Sequence, residues 1–272
     1  MVRIATFNVN SVKARLPNLL AWLKAETPDV VLLQEIKCVD EAFPALEIEE
    51  LGYQVAVHGQ KTYNGVAILS RLPLEDITPR LPGATGSEDD EPDAQARYIE
   101  ALVDGKVRVC CLYLPNGNPI TEDRKFGYKL RWMDKLIDRA RVLLETYPDL
   151  PVVIAGDYNV CPTDDDVYDP KGWKDDALCR PETRQRFRAL LHMGYTDALR
   201  AVTKAPGVYT FWDYQAGAWQ KDNGLRIDHL LLNPAAADKL MTAGVDRKPR
   251  GEQKASDHTP TWVELACNAQ TS

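Results

Sequence analysis

Short apolar runs rich in β-branched residues alternate along this chain with amphipathic stretches, and polar residues stand at the ends of the runs. Val2–Phe7, Val30–Leu33 and Val152–Ala155 read as buried strands by their length and branching. Between the first two, Ser11 is placed to cap a helix over Val12–Glu26, where Val12, Leu16, Leu19, Leu20 and Leu23 recur at helical spacing. Pro28-Asp29 breaks the chain before the next strand, so the opening unit is strand–helix–strand. Val55–His58 and Val66–Ser70 flank a hairpin-like connection, Lys61 to Gly65, and Tyr98–Val103 pairs with Val107–Leu114 around Asp104-Gly105. A helix from about Asp123 to Glu145 carries the stripe Phe126, Leu130, Met133, Ile137 and Leu144. A second runs over Glu182–Met193, after the Pro/Asp/Gly-rich stretch Cys161–Pro181, which is either functional or irregular surface. Ile227–Leu232 and Thr261–Leu265 close the pattern as strands.

Two stretches lack periodicity. Leu81–Ala96, with Ser87-Glu88-Asp89-Asp90-Glu91, reads as a mobile acidic loop, and Ala266–Ser272 as a frayed tail. No repeat or linker divides the rest, which predicts one α/β domain over residues 1–265 with mixed sheets and helices on the outside. No apolar run approaches the ~20 residues of a membrane span. The N-terminus enters a strand pattern directly, so retention in the cytosol is expected, and no membrane partner. The six cysteines, at 38, 110, 111, 161, 179 and 267, show no metal-type spacing and read as reduced thiols, with neighbours Cys110 and Cys111 on opposite faces of a strand. A net charge of −7 argues against a protein that coats nucleic acid, yet leaves room for an enzyme with a local basic groove.

The chemistry lies in five words at the ends of apolar runs: Thr6-Phe7-Asn8-Val9-Asn10, Leu33-Gln34-Glu35-Ile36-Lys37, Gly156-Asp157-Tyr158-Asn159, Arg226-Ile227-Asp228-His229 and Ser256-Asp257-His258. Carboxylates and amides at strand mouths are poor core residues, but they converge on one rim. Asn8, Glu35 and Asp257 offer only oxygen, which suits magnesium or manganese; alone, Glu35 would be a solvated strand end or a partner of Lys37. Asp228 starts an apolar strand, where pairing with His258 would remove the cost of a lone carboxylate and fix the imidazole tautomer. His58, His192 and His229 receive no catalytic role.

Asp157 and Asn159, two apart on extended backbone, could serve water and a phosphoryl oxygen, although Asp-x-Asn is also a common turn. Tyr113 and Asn116 follow a strand in the same way. The aromatic stretch Phe211-Trp212-Asp213-Tyr214, with Trp219 and Lys221, reads either as an exposed site for a flipped nucleotide or as a cluster under a loop. Lys125, Lys129, Arg131 and Arg184/Arg186/Arg188 could touch phosphates or form solvated helix faces.

Taken in order, with Tyr113-Leu114-Pro115-Asn116-Gly117 and Asn64-Gly65-Val66-Ala67-Ile68-Leu69-Ser70-Arg71, these words resemble the exonuclease III family of apurinic/apyrimidinic endonucleases, within the endonuclease/exonuclease/phosphatase superfamily, over roughly residues 1–265. Gly224-Leu225-Arg226-Ile227-Asp228 is similar to the bacterial exonuclease III branch; many relatives carry Trp in place of Leu225, and some Asp in place of Asn10. The resemblance implies a four-layer α/β sandwich, two packed mixed β-sheets flanked by helices. It puts Asn8, Glu35, Asp157, Asn159, Asp257 and His258 at or near metal. It makes Tyr113, Asp157, Asn159, Asp228 and His258 catalytic, and Asn116, Lys129, Phe211, Trp212 and Leu225 DNA-binding. The implied reaction is Mg2+-dependent (Mn2+ as substitute) cleavage 5′ to an abasic site, with 3′-5′ exonuclease and 3′-end-cleaning activities. The implied partner is double-stranded DNA with abasic sites or blocked 3′ ends, acted on by a monomer in the bacterial cytosol or nucleoid. The competing readings are a superfamily phosphatase for phosphoinositides or other lipid phosphoesters, and a non-catalytic DNA-binding scaffold.

Overall fold

The computed structural model describes residues 1–82 and 95–267. Its strands run β1 (Val2–Asn8), β2 (Val30–Gln34), β3 (Gln54–His58), β4 (Val66–Ser70), β5 (Leu74–Pro79), β6 (Tyr98–Val103), β7 (Val107–Tyr113), β8 (Val152–Asp157), β9 (Thr196–Asp197), β10 (Asp228–Leu232), β11 (Leu240–Val245) and β12 (Thr261–Leu265). The helices are α1 (Val12–Glu26), α2 (Ala45–Glu49), α3 (Phe126–Thr146), α4 (Pro170–Trp173), α5 (Pro181–Met193), α6 (Ala198–Val202) and α7 (Pro234–Ala237).

The strands form two six-stranded sheets, ordered β11-β12-β1-β2-β4-β3 and β5-β6-β7-β8-β10-β9. Each has one parallel pair at its centre, β1 with β2 and β7 with β8, joined by the crossover helices α1 and α3. Antiparallel neighbours flank both pairs. Ile4, Leu32, Ile68 and Val263 of the first sheet meet Val109, Cys111, Val153 and Leu230 of the second in a core between the sheets. A second core lies under α3 and α5 and a third under α1 and α2, so the chain is a four-layer sandwich. Cys111 faces the core between the sheets and Cys110 the core under α3, as strand alternation requires. All six thiols are free.

This topology places the site. The C-terminal ends of both parallel pairs open at one edge of the sandwich, bringing Asn8 and the residue after Gln34 opposite Tyr113 and Asp157. The antiparallel neighbours begin where those strands end: Asp228 pairs with Asp157, and Asp257-His258 precede β12 beside β1. Gly156 makes the approach possible. A Cβ there would stand 1.9 Å from the Leu112 carbonyl oxygen, and its φ of 155° is open chiefly to glycine.

Several elements depart from the hydrophobic pattern. β5 and β11 do not show in the sequence because both are half-exposed edge strands, with irregular register in β5–β6 and in β11–β12. The buried face of α3 shares Met133 with the expected stripe, of which Phe126, Ile137 and Leu144 are half-buried at its margin. It runs through Tyr128, Lys129, Trp132, Met133, Leu136, Ala140 and Leu143, because aromatic residues and one lysine stem take part in it. Ala266 and Cys267, expected in the tail, donate backbone hydrogen bonds, and Cys267 is buried. Most of the expected acidic loop lies outside the described residues.

Candidate active site

The parallel-strand ends and their neighbours line a cleft of about 280 Å³, walled by Glu35, Tyr113, Asn116, Asp157, Asn159, Phe211, Leu225, Asp257 and His258. Its polar centre is one network. Asn8 Nδ2 donates to Glu35 Oε1 and to Asp157 Oδ2, both at 2.9 Å. Two carboxylates from different sheets are thereby held together. Asn8 Oδ1 accepts from the Asn10 N–H at 3.0 Å, so the amide oxygen expected to face a metal is turned to the backbone.

His258 Nδ1 lies 3.1 and 2.9 Å from the two Asp228 carboxylate oxygens and must carry the proton it donates to them. Its Nε2 faces Asp157 Oδ2 at 3.7 Å. Burial alone would lower the His258 pKa, but the charges of Asp228 and Asp157 outweigh it and push the imidazole up to about 10. Asp157 is pushed up to about 7 by burial and by the neighbouring Asp228 and Glu35, against the opposing charge of His258. Glu35 stays below the usual carboxylate range: burial opposes this, but the Asn8 hydrogen bond and the Lys37 ammonium, 2.9 Å away, prevail. Burial and the Glu35 charge hold Tyr113 well above the ordinary phenol value, so it remains an O–H donor.

Among the described residues, Glu35, Asp157 and His258 bring one ligand atom each to within 4.8 Å of one another. The two carboxylates suit a hard divalent cation, and Asn8 now bridges them. Asp257, expected as a ligand, lines the same cleft outside that cluster and accepts from Asn10 Nδ2 at 3.1 Å. Asn159, with φ 48°, accepts at Oδ1 from Asn116 Nδ2 at 3.1 Å and donates from Nδ2 to the Leu114 carbonyl at 2.9 Å. Asn10, Glu35 and Lys37 also have positive φ, so left-handed backbone gathers around the cleft.

The expected DNA-binding residues divide. Phe211 and Leu225 line the cleft and exchange two backbone hydrogen bonds; the Phe211 ring meets the His258 ring edge-on at 5.0 Å. Trp212 does not line it. It is 0% exposed, stacks edge-on against Trp219 and donates its indole N–H to Asp222 at 2.9 Å. Its backbone N–H anchors the Asp257 carbonyl, which explains why this word sits next to the site words. Trp212 belongs to the cluster under the loop, and Trp212→Ala should cost about 3–5 kcal/mol of stability. A denaturant melt checks this, and a mutant as stable as the parent would return Trp212 to the surface.

Lys129 is likewise buried and touches two backbone carbonyls in place of solvent; burial pulls its ammonium down to about 7. Arg131, Arg184 and Arg186 pair with Asp123, Asp164 and Asp134, and Lys125 with Glu122, so those helix cations are largely neutralised by neighbouring carboxylates. His229 is buried against Arg226 and the Val160 carbonyl, away from the cleft chemistry.

No site role was read from the sequence for Asn118, Trp173, Asp176, Leu178, Asp213 and Ile227, which complete the wall. Three of these belong to Cys161–Pro181. The length of that irregular stretch was the available signal.

Two carboxylates that can share a cation, beside a histidine held by a third, at the mouth of two stacked sheets, are the parts of a metal-assisted phosphoesterase. The sequence profile of the Endonuclease/Exonuclease/phosphatase family matches residues 5–258, and the chain belongs to that family. It is 34% identical over 276 residues to exodeoxyribonuclease III of Haemophilus influenzae, covering 97% of this chain and 100% of that one. An AP endonuclease structure from Archaeoglobus fulgidus superposes with a TM-score of 0.90 at 34% identity, covering 98% of this chain and 100% of that one. A 3′ phosphatase from Neisseria bound to product DNA hairpin superposes with a TM-score of 0.90 at 38% identity, covering 97% and 99%.

Proposed function

We propose that the chain is a DNA-repair phosphodiesterase: an apurinic/apyrimidinic endonuclease that cleaves 5′ to abasic sites, with 3′-5′ exonuclease and 3′-end-cleaning activities. The observation that carries the reading is the meeting of Glu35, Asp157 and His258 in one cleft, with His258 held by Asp228. The relatives named above include an exodeoxyribonuclease, an AP endonuclease and a 3′ phosphatase bound to product DNA, and the apolar side of the cleft, Phe211, Leu225 and Trp173, suits a sugar that has lost its base. The cation of this reading is Mg2+, with Mn2+ as substitute; Glu35 and Asp157, with Asp257 beside them, would hold it, and it would supply charge neutralisation to the phosphoester.

The chain's own groups do the rest. Asp157, which lines the cleft beside His258, takes the proton from the attacking water. His258, kept charged by Asp228, donates from Nε2 to a non-bridging phosphoryl oxygen. The Tyr113 phenol and the linked amides of Asn116 and Asn159 also line the cleft and can donate where negative charge grows. Cleavage leaves a 3′-hydroxyl and a 5′-deoxyribose phosphate. The reading carries a monomer in the bacterial cytosol or nucleoid; among the described residues no helix is long and apolar enough to cross a membrane.

End-labelled abasic, nicked and 3′-phosphate duplexes, incubated with Mg2+ and with chelator, test it. Incision of the abasic strand with Mg2+ and none with chelator is expected. Inert duplexes beside a hydrolysed phosphoinositide would overturn it in favour of a lipid phosphatase.

A further inference from the structure

Lys129 lies in the first turn of α3 and is 0% exposed, so it cannot meet a DNA phosphate. Its ammonium donates to two backbone carbonyls: Asn116 at 3.0 Å and Asn159 at 2.5 Å. These residues stand on the loops that leave β7 and β8, the central parallel pair of the second sheet. Past the end of β7 one backbone hydrogen bond, from the Leu114 N–H to the Asp157 carbonyl at 2.8 Å, still links the pair, and Asn116 and Asn159 lie beyond it. Across the cleft side, the same residues meet through Asn116 Nδ2 and Asn159 Oδ1 at 3.1 Å.

The chain makes room for this contact. Gly117 has a φ of 90°, and a Cβ there would stand 2.6 Å from Lys129 Cδ, so the lysine stem runs through the space that the missing side chain leaves. The left-handed Asn159 turns its carbonyl into the protein body, where that oxygen needs a donor. A lysine is rarely buried in full, because losing hydration is costly. Here it reaches the two loops that carry amides into the cleft.

We infer that Lys129 is a positioning residue: by clamping the Asn116 and Asn159 carbonyls from below, it sets where their side-chain amides stand against the scissile phosphate. The amide contact to phosphate rests on the phosphodiesterase reading above; the clamp itself does not.

The test compares full-length Lys129→Met, which keeps the stem and loses the donors, with Lys129→Gln, whose terminal amide retains two N–H groups. Each is read by kcat and KM on an abasic duplex, by a thermal melt, and by the NMR side-chain amide signals of Asn116 and Asn159. The expected result for Lys129→Met is a fall in kcat of about 10²-fold, the scale of losing an oxyanion donor. KM should stay within about threefold, as for an interaction made only in the transition state. Both amide signals should move, and Lys129→Gln should recover part of kcat. A raised KM with unchanged kcat and a salt slope reduced by about one would make Lys129 a phosphate contact and overturn the inference. So would a lowered melting temperature with unchanged kcat per folded molecule, or unmoved amide signals in a folded variant. A parent that leaves every DNA substrate intact refutes the phosphodiesterase reading instead, while the amide signals still decide the clamp.

Discussion

Asp228→Asn should leave a folded protein that incises abasic DNA about 10²–10⁴-fold more slowly, the range of lost acid–base assistance. The carboxylate receives His258 Nδ1 at 2.9 Å inside a buried network, and an amide there can no longer hold the imidazole charged with Nε2 facing the cleft. The double mutant with His258→Ala should be little slower than the worse single mutant, because the two act as a unit. Simple multiplication of the two effects would separate them.

The same pair sets an alkaline limb of stability in metal-free protein. His258 is raised to about 10 from 6.5, so its contribution is fully present below pH 6.5 and is lost as pH rises toward 10. Asp157, raised to about 7, has largely ionised before that limb ends. In melts between about pH 7 and 10 the parent should therefore lose stability relative to Asp228→Asn, a difference in which the opposite contribution of Lys129, lowered to about 7, cancels. Equal slopes would mean that Asp228 does not hold the His258 charge.

Glu35→Ala is expected to reduce turnover by about 10³-fold or more, since the metal-assisted reading proposed above assigns several kcal/mol of charge stabilisation to a cation at Glu35. The Mg2+ needed for half-maximal rate should rise by at least about tenfold. The substitution also removes one of the two carboxylates spanned by Asn8 and frees Lys37 from its ion pair. Rates measured across a Mg2+ titration decide the matter, and unchanged turnover at low Mg2+ would remove Glu35 from the site.

How far the sequence spoke depended on the kind of residue. β1, β2, β8 and the helix Val12–Glu26 were legible because burial imposes β-branched runs or helical spacing on them. Edge strands such as β11, covered on one side only, leave no such pattern. The site words were legible because polar side chains at the ends of buried strands have few structural uses. Trp212 and Lys129 misled for the converse reason: an aromatic in a loop and a lysine on a helix look alike in sequence whether they face solvent or a core, and both are fully buried.

By itself, then, the sequence determined the order of central strands and helices and the motif words that resemble one family, since these depend on local pattern and residue type; the sandwich was implied by that resemblance. Only the tertiary structure decided which residues of those words touch. Asn8 and Asp157 are 149 positions apart, and their contact exists because two separate parallel pairs end at one edge of stacked sheets. The choice between ligand and spacer for Asn8, between cleft wall and core for Phe211 and Trp212, and between solvent and clamp for Lys129 turns on burial and side-chain direction. Those quantities arise when distant segments pack, and one-dimensional order does not carry them.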